Sequence, residues 1–321
     1  MKAFIASLLI TLLMPAARAA CHIERVADIP VELDQHNRPS IQGTINGQPM
    51  RALLDTGSVM SMVWRPAVER FGLRLLNGPR VMLYGSGGQT RVDTTIIHEL
   101  KVGPLVLNDV RFPAAGDLHG GEDLILGEDF LSSSALELDL RHRLIHKLDP
   151  SDCKLSELPY WAKTYSMANL VASPHDSFKV EVEVLLNSRR VRARLDTGAA
   201  TSVLAKSIAD SIAVKYVVSE GREHGLGQQS LQTWTGELAT FAIGDESINH
   251  AQIHVAELGK YMTKDRIGSR IPVAATVEIE MLLGADFLYA HRVLIDNASR
   301  KMLFTYEGGP VFQIPKPQET D

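Results

Sequence analysis

Apolar and polar residues alternate with a period of two along much of this chain, in short runs broken by turn residues. Val180, Val182 and Val184 alternate with Glu181 and Glu183, the pattern of a half-buried strand. Ile41–Ile45 and Pro49–Leu54 flank Asn46-Gly47, and Asn-Gly between apolar runs predicts a tight hairpin. The arrangement returns at Asn187-Ser188, with Val191–Leu195 as the second strand. Each hairpin runs into the same tripeptide. Asp55-Thr56-Gly57 begins nine residues after Asn46, and Asp196-Thr197-Gly198 begins nine after Asn187. Each aspartate is therefore expected where a buried strand opens into a loop. One Asp-Thr-Gly is an ordinary turn sequence; two at matched positions mark an internal repeat.

The repeat continues downstream. Pro66–Gly72 and Ala205–Val214 predict short helices, the first bracketed by proline and glycine. Val81–Tyr84, then Gly85-Ser86-Gly87-Gly88, then Thr90–Val102 read as strand, glycine turn and returning strand. Gly225-Leu226-Gly227 is the second such turn, 29 residues after Asp196 against 30 from Asp55 to Gly85. Leu124–Leu131 and Met281–Leu288 share an apolar-Gly-x-Asp-Phe-Leu run, and each is followed by a closing hairpin: Ala135–Leu140 with Leu144–Leu148, and Val293–Asp296 with Lys301–Tyr306. Gly127 lies 72 residues after Asp55 and Gly284 lies 88 after Asp196, so the second copy carries an insertion, placed around 256–276. Residues 20–38 form a lead-in with one strand candidate, Ile29–Leu33, and residues 150–177 break the pattern as a linker with one helical turn.

At 321 residues, 45% of them hydrophobic and 22% charged, the chain reads as an ordinary globular protein of two domains. Lys2, the apolar run Phe4–Met14 and Ala17-Arg18-Ala19 form an export signal with cleavage after Ala19. Removing it takes the formal charge from −5 to −7. No basic stripe follows, so no nucleic-acid partner is expected, and no later stretch is long and apolar enough to span a membrane as a helix. The expected location is periplasmic or secreted. Cys21 and Cys153 can pair in an oxidising compartment, pinning the N-terminus near the linker; the alternative is two separate thiols. His250 and His254 lie four apart with no acidic third ligand evident, so no metal or cofactor is expected.

Two carboxylates from two similar lobes can meet at the lobe interface. A few ångströms apart they cannot both ionise easily, and they share a proton. The ionised member can then take a proton from water attacking a carbonyl while the protonated member donates to the carbonyl oxygen. Gly57 and Gly198 allow close backbone approach, Thr56 and Thr197 can brace the turns across the interface, and the glycine hairpins can close over an extended substrate.

In these motifs the chain resembles the retropepsin-like aspartic peptidases of the pepsin and retropepsin clan, in a tandem two-lobed form found among bacterial exported proteins. The matching residues are Leu53-Leu54-Asp55-Thr56-Gly57-Ser58 with Leu126-Gly127-Glu128-Asp129, and Arg194-Leu195-Asp196-Thr197-Gly198-Ala199 with Leu283-Gly284-Ala285-Asp286. Arg194 departs from the pattern, which has an apolar residue there. The resemblance implies an all-β fold of two tandem closed barrel lobes with short helices, related by a pseudo-two-fold axis within a single-chain monomer. The division is then a signal over 1–19, lobes over 20–149 and 178–308, the linker 150–177, and a tail over 309–321. Asp55 and Asp196 are implied as the catalytic pair of an endopeptidase acting on peptides or proteins. Gly85, Ser86, Gly87 and Gly88, with Gly225, Leu226 and Gly227, are implied as flap tips over the substrate, and Tyr84, just before the first, could cover the substrate or be an ordinary strand aromatic. In that family a hydroxyl at the place of Ser58 can bond the neighbouring Asp55 carboxylate, with no equivalent at Ala199, which would make Asp55 the ionised member; the alternative is that Ser58 faces its own backbone as a turn residue. A non-cleaving module that holds a peptide strand in the same cleft is the alternative.

Overall fold

The computed structural model describes residues 20–85, 88–116, 121–132, 134–171, 180–224, 230–258, 260–265 and 273–312; residues 1–19, where the export signal is expected, and 313–321 lie outside these. The first half contains β1 (His22–Pro30), β2 (Glu32–Leu33), β3 (Pro39–Ile45), β4 (Gln48–Leu54), β5 (Met62–Trp64), β6 (Leu75–Gly85), β7 (Gly88–Val102), β8 (Leu105–Ala115), β9 (Leu124–Leu126), β10 (Ala135–Asp139) and β11 (Leu144–Ser151). A short strand, β12 (Ser166–Asn169), precedes the second half. That half contains β13 (Glu181–Leu186), β14 (Arg189–Leu195), β15 (Val203–Ala205), β16 (Tyr216–His224), β17 (Ser230–Ile243), β18 (Glu246–Ala256), β19 (Lys260–Asp265), β20 (Val273–Glu278), β21 (Met281–Leu283), β22 (His291–Asp296) and β23 (Lys301–Tyr306). The helices are short: α1 (Arg65–Arg70), α2 (Glu128–Leu131), α3 (Lys206–Ser211) and α4 (Ala285–Ala290).

Each half closes a six-strand barrel. In the first, the ring runs β3-β4-β9-β5-β8-β7, and β7 pairs back onto β3. In the second it runs β13-β14-β21-β15-β18-β17, closed by β17 on β13. The parallel pairs recur in step, β4 with β9 and β14 with β21, then β5 with β8 and β15 with β18. The fold is all-β, built of two tandem barrels. The hairpins that enter the Asp-Thr-Gly turns are held by local chemistry. Asn46 and Gly47 take φ of 49° and 79°, and Asn187 and Ser188 take 48° and 69°. Both central residues of each turn are thus left-handed, the twist that suits a two-residue hairpin. Behind it, Val182, Val184 and Leu186 are buried while Glu183 and Leu185 are exposed.

The extra residues of the second half form the separate hairpin β19–β20, and β19 lies beside β6 of the first half. Two strands go beyond the sequence reading. The lead-in folds as β1, beginning at His22 rather than Ile29, and the linker contains β12 besides its helical turn at Leu155–Glu157. Both are edges of one six-stranded sheet, β1-β11-β10-β22-β23-β12, in which the closing hairpins of the two halves meet along β10 and β22. Among the described residues no helix is long and apolar enough to cross a membrane.

Cys21 and Cys153 form a disulfide that fastens the start of β1 to the chain beyond β11, closing a loop of 132 residues. Bridges of this kind contribute about 2–4 kcal/mol, mainly by restricting the unfolded chain. A Cys21→Ser/Cys153→Ser variant should lose about that much unfolding free energy and so unfold at a lower urea concentration; an unchanged midpoint would show that β1–β11 pairing alone holds the N-terminus.

Candidate active site

The Asp-Thr-Gly turns of the two halves meet at the barrel interface. Asp55 leaves β4 with its amide donating to Leu126 O (3.0 Å), and Asp196 leaves β14 with its amide donating to Leu283 O (2.8 Å). Each turn is therefore tied to the apolar-Gly strand of its own half. The threonines cross over. Thr56 Oγ1 donates to Leu195 O (2.9 Å) and accepts from Thr197 N (3.1 Å). Thr197 Oγ1 donates to Leu54 O (2.6 Å) and accepts from Thr56 N (3.1 Å). Both threonines are buried, so these four bonds lie away from water and fix the turns to each other.

This crossing brings the aspartates together, their carboxyl groups hydrogen-bonded to one another. The glycines shape the same space: a Cβ on Gly57 would meet Asp196 Cγ at 2.3 Å, and one on Gly198 would meet Asp55 Cγ at 2.6 Å. Each half thus supplies the glycine that leaves room for the other half's carboxylate. Asp55 Oδ1 accepts from the amides of Gly57 (2.9 Å) and Ser58 (3.0 Å), and Asp196 Oδ1 accepts from the amide of Ala199 (2.9 Å). Both aspartates keep part of their surface open. Loss of water nonetheless pushes both above the usual carboxylate range. Asp55 is pushed well above it, next by the negative charge of Asp196 and by their shared hydrogen bond. For Asp196 that bond, the Ala199 amide, the Arg194 guanidinium and the Gly198 amide all pull the other way.

Of the two readings of Ser58, the structure has the one in which it faces its own backbone. The Ser58 hydroxyl does not reach the carboxylate; it donates to Met60 O at 2.9 Å, closing its own turn. Ser58 acts on Asp55 through its backbone amide, as Ala199 does on Asp196, so the hydroxyl makes no difference between them. Of the glycine turns, Gly85 pairs with Gly88 and Tyr84 with Gln89 at the tip of β6–β7. Ser86, Gly87, Gly225, Leu226, Gly227 and the Tyr84 side chain lie outside the described part of the structure.

A second pair of braces escaped the sequence reading. Ser61 donates from its amide (2.8 Å) and hydroxyl (2.7 Å) to Asp129 Oδ1, and its Oγ accepts from Gly127 N (3.0 Å). In the other half Ser202 Oγ donates to Asp286 Oδ1 (2.7 Å) and accepts from Gly284 N (2.9 Å). These bonds lock each Asp-Thr-Gly loop to the helix after the apolar-Gly strand. Their signal was present: a serine stands six residues after each aspartate of the pair.

For a metal, Glu137, Asp139 and His146 bring donor atoms within 4.8 Å of one another. Arg292 already occupies both carboxylates, at 2.5 Å from Glu137 and 3.2 Å from Asp139, so a guanidinium stands where a metal ion would.

A family model described as aspartyl protease matches residues 41–130 and 180–287. Comparison with curated proteins finds no match. The family match runs from the entering hairpin through the Asp-Thr-Gly turn to the apolar-Gly helix in each half, more than half of the 321 residues, and the chain belongs to the aspartyl protease family.

Proposed function

We propose that this protein is an exported aspartic endopeptidase in which Asp55 and Asp196 activate water against a peptide bond. The observation that carries the reading is the carboxyl pair itself, hydrogen-bonded across the interface and bracketed by the glycine of the opposite half. A pair sharing one proton offers a base and an acid at once. The ionised carboxylate takes a proton from water as its oxygen adds to the carbonyl carbon, and the protonated carboxyl donates to the carbonyl oxygen. Collapse of the tetrahedral species breaks the C–N bond, and the carboxyl that gained a proton gives it to the leaving nitrogen. No metal or covalent intermediate is required.

The flap strands support a peptide substrate: β6 ends the first barrel's sheet and β16 ends the second's, and an extended chain can pair with such edges. The tandem lobes over 20–149 and 178–308, each giving one aspartate, would let a single chain act alone. Export behind a signal over 1–19 agrees with the disulfide, which persists in oxidising compartments.

The test is digestion of a diverse peptide pool by the purified protein across acidic to neutral pH, read by mass spectrometry. Cleavage is expected in the natural protein and should be lost in both Asp55→Asn and Asp196→Asn. Peptide capture without new termini would replace the enzyme with a binding module, and cleavage surviving both substitutions would remove the pair from the mechanism.

A further inference from the structure

The Ser61–Asp129 and Ser202–Asp286 braces each rest on a short helix, and the far ends of the two helices are fastened by different bases. Up to that point the bonds match. In the first half, buried Glu128 donates from its amide to Ser58 O (2.9 Å), and Phe130 N donates to Asp129 Oδ1 (2.9 Å). In the second, Ala285 N donates to Ala199 O (2.8 Å), and Phe287 N donates to Asp286 Oδ1 (2.8 Å). The carbonyl of each phenylalanine then meets a buried base. Lys147 Nζ donates to Phe130 O (2.6 Å) and Leu131 O (3.3 Å). His291 Nδ1 lies 2.7 Å from Phe287 O, and its ring stacks on the Phe287 ring. The bases are not copies of each other: by hairpin register, Phe304 stands at the place of Lys147, and Ser134 at that of His291.

The two bases differ in what they need to make these bonds. A carbonyl only accepts, so Nδ1 must bring a proton. Nε2 of the same ring lies 2.9 Å from Glu246 Oε1, a second acceptor. Both bonds therefore form only when the imidazole holds two protons. A neutral ring has one, and the carboxylate is the stronger acceptor for it, which leaves the Nδ1 lone pair facing Phe287 O. Lysine is under no such constraint. Burial pushes Lys147 down to about 8, and an amine that has lost its charge still has two N–H groups to donate. His291 is 1% exposed, and among the described residues Glu246 is the charged group that meets it. The rings of Phe304 and Tyr306 lie on its other sides, with the Tyr306 hydroxyl donating to Gly309 O. Other charged groups on the packed elements are engaged elsewhere: Arg292 with Glu137 and Asp139, His142 with Asp139, Arg141 with Gly308 O, Asp286 with Ser202, and Glu307 with Thr305.

We propose that His291 is a positioning residue for the second catalytic loop and that it fastens α4 only while doubly protonated, so that rising pH releases the Asp196 half and leaves the Asp55 half held by Lys147. The anchor is present in acid and is lost as the pH rises and the imidazole gives up one proton to water. The loop it steadies is the one that carries Asp196, through Asp286, Ser202 and the Ala285–Ala199 bond. The consequence for catalysis rests on the function proposed above; the anchor does not.

The experiment is hydrogen exchange of the purified protein from acidic to alkaline pH, corrected for the intrinsic rate and read by mass spectrometry on peptides spanning 128–132 and 285–291. Histidine 15N NMR, with His291 assigned by its contacts to the Phe287 and Phe304 rings, reports the charge on the imidazole. In the natural protein both ring nitrogens should be protonated in acid. As one proton leaves, protection of 285–291 should fall about tenfold or more, the scale of one lost hydrogen bond to a charged group, while 128–132 keeps its own. Glu246→Gln, at a partly exposed side chain, removes the competing carboxylate. The new amide can donate to Nε2, so a neutral ring keeps its proton towards Phe287 O, and protection should persist at high pH. In the cleavage assay the alkaline limb of kcat should move to higher pH in Glu246→Gln with KM unchanged. Undiminished protection of 285–291 in the natural protein after His291 becomes neutral overturns the proposal, and so does a Glu246→Gln variant that loses protection as the natural protein does. The expected exchange pattern in a protein that cuts no peptide would leave the anchor standing and remove the peptidase reading.

Discussion

Gly57→Ala and Gly198→Ala should each lower peptide hydrolysis about a hundredfold or more, since misplacing a reacting group by an ångström costs on that order. The added methyl at Gly57 would lie 2.3 Å from Asp196 Cγ and 2.4 Å from its Oδ2; at Gly198 it would lie 2.6 Å from Asp55 Cγ and 2.8 Å from both oxygens. These carboxyls cannot swing aside freely, because backbone amides hold each of them. Each substitution therefore displaces the aspartate of the other half. Overpacking of this kind also costs about 1–3 kcal/mol of stability, so thermal melts must accompany the kinetics. Gly72→Ala, where nothing lies within 4 Å of the added Cβ, is the control: it strains a left-handed residue and should leave turnover intact. Near-natural turnover in folded Gly57→Ala and Gly198→Ala would show that the pair is not confined as described.

The reciprocity of that prediction depends on features that differ in how they are written along the chain. Local chemistry was legible. Asn-Gly and Asn-Ser turns, period-two strands and the repeated apolar-Gly run place both aspartates at strand ends and both closing hairpins in order, because each is decided by neighbours in sequence. The sharing of the six-stranded sheet was not. β1 has two buried residues among its nine, and β12 has only four residues in all; edge strands paired with distant partners leave little periodicity to read. Side-chain direction was also hidden. Ser58 has the right hydroxyl at the right position, yet it rotates to its own turn at Met60. Arg194 was visible as a departure from the pattern, but its pairing with Glu181 follows from strand register. Glu128 carried no signal, since its significance comes from being buried near Asp55.

Removing the guanidinium of Arg292 should destabilise the protein by about 3–5 kcal/mol, the cost of leaving a buried ion pair broken on one side. Arg292 on β22 reaches across to β10 of the other half, where its Nε (2.7 Å) and Nη2 (2.5 Å) donate to Glu137 Oε1 and its Nη1 lies 3.2 Å from Asp139 Oδ2. The Glu137 side chain is fully buried, and Tyr160 donates to its other oxygen at 2.7 Å. The guanidinium also lies over the rings of Trp161 and Tyr160. In Arg292→Ala the carboxylates of Glu137 and Asp139 would face each other in the shared sheet, with only imidazoles beside them, His142 at 2.7 Å from Asp139 and His146 at 3.9 Å from Glu137. Chemical denaturation at neutral pH should show the loss. Arg292→Ala with Glu137→Gln should recover part of it, because the second change removes the orphaned charge while keeping an acceptor for Tyr160. That recovery separates electrostatics from lost packing, which the double variant does not restore. A single variant as stable as the natural protein would mean that the sheet joining the halves does not depend on this ion pair, and that β10–β22 pairing and the apolar residues around it suffice.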